Sequence, residues 1–484
     1  MDGTINKRPV YDQEGFEEAE RQRKIIEELK TDLHMPKKFF LATMGCQMNA
    51  RDSEKLKGIL HQIGSEEVPE DEADLVIYNT CCVRENAEQK VFGRLGALKS
   101  LKRKNPNLKI VLCGCMMQEN FVIEKIRKAY PEVDLILGTY NLYRFPSLLQ
   151  SMLASGENRG DASSKMIIDI WKEQKEIVED LPSIRKFPFK ASVNIMYGCD
   201  NFCTYCIVPY VRGRERSRKP QNIIAEIEAL AQTGVKEIQL LGQNVNSYGK
   251  GLDEPITFAQ LLRMVCRVEG IERVRFMTSH PKDLSDELID VMAEEKKICP
   301  QFHLPLQSGS DRLLKAMNRH YTQERYLDIV RKLKAKVPDV SITTDIIVGF
   351  PTETREDFLE TLKVVREVRY DGAFTFIYSP RVGTPAASMP QVDPQEAKKN
   401  FSELLKVLEE IGGENHAAYQ DSVVEVLAEE KSKNDASMLS GRSAQGLLVH
   451  FTAPEEMIGK ICRVSVQETT PYYLIGALES EVDA

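Results

Sequence analysis

Tyr197-Gly198-Cys199-Asp200-Asn201-Phe202-Cys203-Thr204-Tyr205-Cys206 sets three thiols within eight residues, directly after the apolar run Ala191 to Met196. Such a triplet suits a cubane iron-sulfur cluster, because protein holds three irons and the fourth stays open for a substrate. Zinc is the competing reading, but a structural zinc site closes on four ligands. The nearest downstream candidates, Cys266, His280 and His303, lie far along the chain. The triplet therefore reads as a metal site at the end of a strand.

Downstream, a βα series follows. Strands are expected at Ala191–Met196, Glu237–Leu241, Arg273–Met277, Gln301–Leu304, Ser341–Ile347 and Ala373–Tyr378, with helices such as Gln221–Gln232, Phe258–Val268, Thr322–Lys336 and Arg355–Val368 between them. Six such units make a partial (β/α)6 barrel, short of the eight that close a full one. Barrel chemistry sits at the carboxyl ends of the strands. There the thiol triplet follows the first strand, Gly242-Gln243-Asn244-Val245-Asn246 the second, Ser279-His280-Pro281 the third, Pro305 to Ser310 the fourth and Gly349-Phe350-Pro351-Thr352-Glu353 the fifth. The helix Pro394–Glu410 leads out of the barrel. Short strands at Val423–Leu427, Leu447–Phe451, Ile461–Val466 and Leu474–Leu478 then suggest a small antiparallel β-barrel, either a structural cap or a nucleic-acid module.

Upstream of the triplet, strands at Phe39–Thr43, Leu75–Asn79, Ile110–Leu112 and Leu135–Leu137 alternate with helices at Asp52–Ile63, Glu85–Leu101 and Val122–Tyr130. The fold class is α/β, and this part is a doubly wound parallel βα domain with helices on both faces. Ligands of such sheets gather outside the carboxyl ends of the strands. Three of those ends carry cysteine: Cys46, the pair Cys81 and Cys82, and the pair Cys113 and Cys115. A second three-thiolate site is expected, with the choice inside each pair left open by spacing. The boundaries are an N-terminal extension over 1–36 with one marginal helix, the βα domain over 37–153, a linker over 154–184 with a charged helical stretch at Trp171–Glu179, the barrel over 185–416 and the small β-barrel over 417–481.

A chain of 484 residues implies two or three domains. No apolar run reaches bilayer length and the N-terminus lacks a signal-peptide core, so no membrane is involved and the expected location is the cytoplasm. Reducing conditions there turn the 11 cysteines from disulfides toward ligands or buried apolar residues. Cys266, Cys299 and Cys462 read as the latter. A net charge of −8 argues globally against a nucleic-acid partner. Locally, Lys99–Lys109 reads as a solvated face, while Arg212, Arg214, Arg216 and Arg218 sit beside the triplet and suit anions.

Cys199, Cys203 and Cys206 match the Cys-x3-Cys-x2-Cys motif of the radical S-adenosylmethionine enzymes, and their place after a first barrel strand strengthens the match. Gly45-Cys46-Gln47-Met48-Asn49, Asn79-Thr80-Cys81, Gly114-Cys115-Met116, Asn201 to Arg218, Leu240 to Tyr248 and His303 to Ser310 resemble the methylthiotransferases, over nearly everything from Lys37 onward. Within them, the Gln243–Asn246 loop and Asn201–Pro209 look most like the MiaB-type tRNA enzymes. The resemblance implies two 4Fe-4S clusters, one on Cys199, Cys203 and Cys206 and one on Cys46, Cys81 and Cys115. It also implies that S-adenosyl-L-methionine serves as both radical source and methyl donor, and that the C-terminal module is a TRAM domain. The implied reaction adds a methylthio group to C2 of N6-(dimethylallyl)adenosine at position 37, next to the anticodon. Gln243, Asn244, Asp345 and Glu353 are candidates for cofactor contacts. Arg212, Arg214, Arg216 and Arg218, with the TRAM domain, would hold the phosphates of the anticodon stem-loop. The implied partners are tRNA, a sulfur source and an electron donor such as a flavodoxin or ferredoxin, with the enzyme a monomer. Relatives acting on threonylcarbamoyladenosine or on a ribosomal-protein aspartate keep the same six cysteines, and a non-catalytic iron-sulfur RNA-binding protein is the alternative of another class.

Overall fold

The computed structural model describes residues 13–82, 85–157, 166–173, 177–179, 181–433 and 435–482. The first part of the expected extension, 1–12, and residues 158–165, 174–176 and 180 of the expected linker lie outside them. The described residues form two compact units.

The first unit comprises the chain to Lys186 together with Tyr197–Asp200 and Cys206–Gln221. Its centre is a six-stranded parallel sheet in the order Glu66–Glu67, Lys38–Thr43, Leu75–Thr80, Lys109–Gly114, Leu135–Leu137, Ile167–Asp169. Strand alternation divides the side chains between two cores. Leu75 and Ile77 join Phe39, Val111 and Cys113 on one face, beneath the helices Gln47–Ile63 and Phe145–Glu157. Val76 and Tyr78 join Ile110 and Leu112 on the other, beneath Glu85–Lys104 and Asn120–Ala129. Gly64, in the left-handed conformation, ends the helix Gln47–Ile63 as expected.

The N-terminal helix is less marginal than its sequence suggests. It runs Gln13–Lys30 and buries Ile25, Ile26 and Leu29 in the first of these cores, while the fully buried Gln22 hydrogen-bonds Ser147. Its apolar stripe is short but has a partner, the helix Phe145–Glu157, which the sequence reading did not identify. The charged helix expected at Trp171–Glu179 is absent among the described residues there. Trp171 instead packs edge-on against Tyr143, 6.1 Å between ring centres.

In the second unit, six parallel strands form two three-stranded sheets. Their orders are Arg273–Phe276, Glu237–Leu241, Lys190–Asn194 and Gln301–His303, Ser341–Val348, Gly372–Ile377. An isolated parallel bridge joins Val274 of the first sheet to Ile298, three residues before the strand Gln301–His303 of the second. The barrel is thus a pair of half-sheets sharing one core. The helix Pro394–Ala417 leads to a closed five-stranded barrel of Val423–Lys431, Met438–Ser443, Leu448–Thr452, Ile461–Thr469 and Leu474–Glu481. Met438–Ser443 was not anticipated, because Ser440, Gly441 and Ser443 read as turn residues.

This small barrel docks at the amino ends of the large barrel's strands. Arg275 donates to the carbonyls of Ser443 and Ala444, Arg273 to those of Glu425 and Arg442, and Lys190 pairs with Glu429 at 2.7 Å. Arg275 also pairs with Glu237, whose carboxyl, although buried, stays below its usual range because Arg275 and Lys190 flank it. The strands' carboxyl ends lie at the opposite end.

Replacing Ile26 with alanine should cost about 2–5 kcal/mol of stability, the usual range for emptying a buried aliphatic site. Urea denaturation followed by circular dichroism measures this. An unchanged midpoint would mean that the N-terminal helix contributes nothing to the core.

Candidate functional site

In the first unit the three cysteine-bearing loops leave neighbouring strands, Lys38–Thr43, Leu75–Thr80 and Lys109–Gly114. Cys46 is exposed and is the residue before the helix Gln47–Ile63, its carbonyl accepting from the Ala50 N–H. The loop before it lies against Cys81: a Cβ on Gly45 would stand 2.4 Å from the Cys81 Cβ. Gly45 also has φ +108°, so glycine is required there twice over. Asn49 ties the loops together. Its Nδ2 donates to the carbonyls of Met44 and Thr80, and its Oδ1 lies 3.7 Å from the Cys115 sulfur.

The pairs left open by spacing have different surroundings. Cys113 is still within its strand and faces the apolar core, where burial pushes its thiol up. Cys115 lies beyond Gly114 and meets a cation: Arg212 Nε donates to its sulfur at 3.2 Å. The Cys115 thiol is pulled down, first by the hydrogen bond from Cys82 and then by Arg212. Cys82 is pushed up correspondingly. Cys81 is the member of its pair against Gly45; Cys82 sits in the second apolar core.

Arg212 comes from the segment that follows the thiol triplet. Ile207, which caps the short helix Val208–Arg212, and Val211 within it enter the first unit's core, and the Thr139 hydroxyl donates to the Val211 carbonyl. Arg212 is 6% exposed and donates to Asn49 at 2.7 Å and Asp52 at 3.0 Å. Arg218, equally buried, pairs with Glu179. The expectation that all four arginines face phosphate is therefore corrected, since two are spent inside the protein. Arg214 is exposed, pairing with Asp200 at 3.1 Å, and Arg216 lies between the rings of Tyr140 and Tyr197. Among the Lys99–Lys109 residues, Lys99 pairs with Glu132 and Lys102 with Asp134.

Backbone and side-chain hydrogen bonds fix each part of the triplet loop within its own unit. Cys199 donates its N–H to the Gly213 carbonyl at 3.0 Å, and a Cβ on Gly198, φ +76°, would collide with the Arg214 carbonyl. Thr204 donates its N–H to Met317 and its hydroxyl to Ala316, while Asn318 Nδ2 donates to the carbonyls of Asn201 and Phe202. Arg319, one residue on, is buried and donates to the Cys203 sulfur at 3.4 Å. Sequence reasoning missed this arginine, which falls in no motif. Cys199 and Cys203 are buried and Cys206 half-buried.

At the mouth of the barrel, Asn244 Oδ1, Ser279 Oγ and His280 Nε2 are buried without hydrogen-bond partners among the described residues. Burial holds the His280 imidazole far below its usual value, hence neutral. Three orphaned polar atoms after the second and third strands fit a polar ligand, since leaving them bare is costly. Asn244 also donates to Asp283 at 2.8 Å. Asp345 lies 3.4 Å from His303 Nε2. Glu353 accepts from the Gly349 N–H and so braces the turn after the fifth strand. Burial raises its carboxyl to about 7.

Among the described residues, no three His, Cys, Asp or Glu side chains close on one point as around a single metal ion. A cubane places each thiolate on a different iron, so its ligands stand apart, and the donor set here, thiols with a flanking guanidinium, fits that group.

Residues 193–365 match the model of the Radical SAM superfamily, and residues 38–138 that of the Uncharacterized protein family UPF0004. The radical S-adenosylmethionine methyltransferase TsrM from Kitasatospora setae, solved with cobalamin and a [4Fe-4S] cluster, shares the fold. Its TM-score is 0.51 at 15% identity, over 73% of this chain and 77% of that one. Fold and motif together define a radical S-adenosylmethionine enzyme carrying an additional thiol-bearing α/β unit. The tRNA-2-methylthio-N(6)-dimethylallyladenosine synthases of Lachnoclostridium phytofermentans and Alkaliphilus oremlandii are each 54% identical to this chain. They cover 94% and 96% of it, with 98% of each relative's own length matched. The chain belongs to the family of tRNA-2-methylthio-N(6)-dimethylallyladenosine synthases.

Replacing Arg212 with methionine strips Asp52 and Cys115 of their cation and should destabilise the chain by about 3–5 kcal/mol. Arg214→Met, at an exposed pair, should change stability by less than about 1 kcal/mol. Denaturant titration of the two variants compares them, and equal effects would contradict the buried network. Glu353 binds its proton more tightly folded than unfolded, so its contribution is complete below pH 4.5 and is lost as pH rises through about 7. Glu353→Gln should flatten that decline, by at most about 3 kcal/mol. Stability measured at pH 5 and pH 8 tests it.

Proposed function

We propose that Cys199, Cys203 and Cys206 ligate one 4Fe-4S cluster and Cys46, Cys81 and Cys115 a second. The enzyme is a radical S-adenosylmethionine methylthiotransferase that converts N6-(dimethylallyl)adenosine of tRNA, beside the anticodon, to its 2-methylthio derivative. The observation that carries this reading is the 54% identity, over nearly the whole chain, to proteins named for that product. Bound together, the clusters and S-adenosylmethionine supply a carbon radical able to take hydrogen from C2 of the adenine, and the sulfur and methyl group that replace it.

The chain's own residues supply the setting. Asn49 and Gly45 hold the loops of Cys46, Cys81 and Cys115 together at three adjacent strand ends. The hydrogen bond from Cys82, and then Arg212, favour the anionic Cys115 sulfur, the form that binds iron. Asn244, Ser279 and His280 offer unsatisfied polar atoms to the cofactor, with Gln243 next to Asn244 in the chain and Asp345 contributing from the strand Ser341–Val348, against His303. Glu353 acts indirectly, through the Gly349 turn. Arg214 and Arg216 take RNA phosphate, a contact read by charge and shape. The target base must leave its stack to reach such a site, which an anticodon loop permits. An external electron donor such as a flavodoxin or ferredoxin and a sulfur source complete the reaction. The enzyme acts in the cytoplasm as a monomer. Among the described residues no helix is long and apolar enough to cross a membrane.

The test is to incubate reconstituted protein with reductant, S-adenosylmethionine and tRNA with or without dimethylallyladenosine, then analyse the nucleosides. A 2-methylthio product is expected only with the dimethylallyl tRNA; product only from threonylcarbamoyladenosine tRNA would overturn the substrate. Cys203→Ser should lose the iron of one cluster and all deoxyadenosine formation. Retained cleavage would refute the ligand assignment.

A further inference from the structure

Among the described residues, no carboxylate pairs with Arg319. Its residue is 4% exposed. Nε donates to the Tyr321 hydroxyl at 3.2 Å, Nη2 to the Pro305 carbonyl at 3.2 Å, and Nη1 to the Tyr205 hydroxyl at 3.5 Å and the Cys203 sulfur at 3.4 Å. These are three neutral oxygens and one thiol, with no carboxylate among them. Other buried arginines are matched differently: Arg212 by Asp52, Arg218 by Glu179, Arg275 by Glu237. Arg273, which leans on backbone carbonyls, still has Glu237 nearby. A buried guanidinium without an anion is costly, so the site is built for negative charge that arrives from outside the polypeptide.

We propose that Arg319 is the counter-cation of the cluster held by Cys199, Cys203 and Cys206, donating to the Cys203 sulfur and making that cluster easier to reduce. The inference rests on the ligand assignment proposed above. A cubane on three thiolates is anionic and gains one further negative charge when an external one-electron donor reduces it. A fixed cation beside it therefore stabilises the reduced form more than the oxidised one. Net charge and hydrogen bonds to sulfur are among the determinants of such potentials. Arg319 is a positioning residue, acting through the cluster rather than on the substrate.

The experiment uses the full chain carrying Cys46→Ala and Cys81→Ala, so that one cluster gives the electron paramagnetic resonance signal during a dithionite titration. Arg319→Met should shift the midpoint to more negative potential, and Arg319→Lys, which keeps the charge, should lie between it and the parent. A Met variant that fails to bind iron while the Lys variant binds it also supports the role. An unmoved potential in the Met variant overturns it, including when S-adenosylmethionine binds more weakly, since that would assign Arg319 to the cofactor. Equal loss of iron in both variants assigns Arg319 to packing and overturns it too. A parent without a cluster strikes the ligand assignment itself.

Discussion

A guanidinium taken out of water needs acceptors on every side, and Arg212 finds them in Cys115, Asn49 and Asp52. Each of these is tied to a different part of the sheet's carboxyl edge. Asn49 fastens the loops after two neighbouring strands, Cys115 follows a third, and Asp52 belongs to the helix after the first. One ionic group thus holds the three cysteine-bearing loops to a segment that begins at Cys206. Its desolvation is offset only while all of them stay in place, which makes the arrangement cooperative.

Both units use the same device at the end of their strands. Parallel strands stop together, so their following loops are forced to share one edge, and whatever polar chemistry the sequence places there is gathered without special design. In the first unit the gathered groups are thiols beside an arginine. In the second they are Asn244, Ser279 and His280, beyond the loop that carries Cys203. The small C-terminal barrel occupies the other end, held by Arg273, Arg275 and Lys190.

The α/β class and most elements were legible because strand and helix periodicity survive in the sequence: Glu237–Leu241 and Arg355–Val368 run as read. Depth was less legible. Arg212, Arg214, Arg216 and Arg218 look alike as a basic run, yet two are buried, because their anionic partners Asp52 and Glu179 are distant in sequence. Cys113 and Cys115 could not be separated by spacing. Their difference depends on where the strand ends, and Gly114 turns the chain between them. Arg319 had no local signal at all, since its meaning comes from a thiol more than a hundred residues earlier.

The chain passes between the two units at Lys186–Phe187, Met196–Tyr197, Asp200–Asn201, Tyr205–Cys206 and Gln221–Asn222. Three of these crossings fall between Met196 and Cys206, around Cys199, Cys203 and Cys206. A gene-level exchange that replaced everything before Phe187 with a foreign α/β domain would leave Cys206–Gln221 without the pocket that receives Arg212. The first unit is therefore encoded discontinuously, and a cut at Phe187 divides its own core, which takes Ile207 and Val211 from beyond that point.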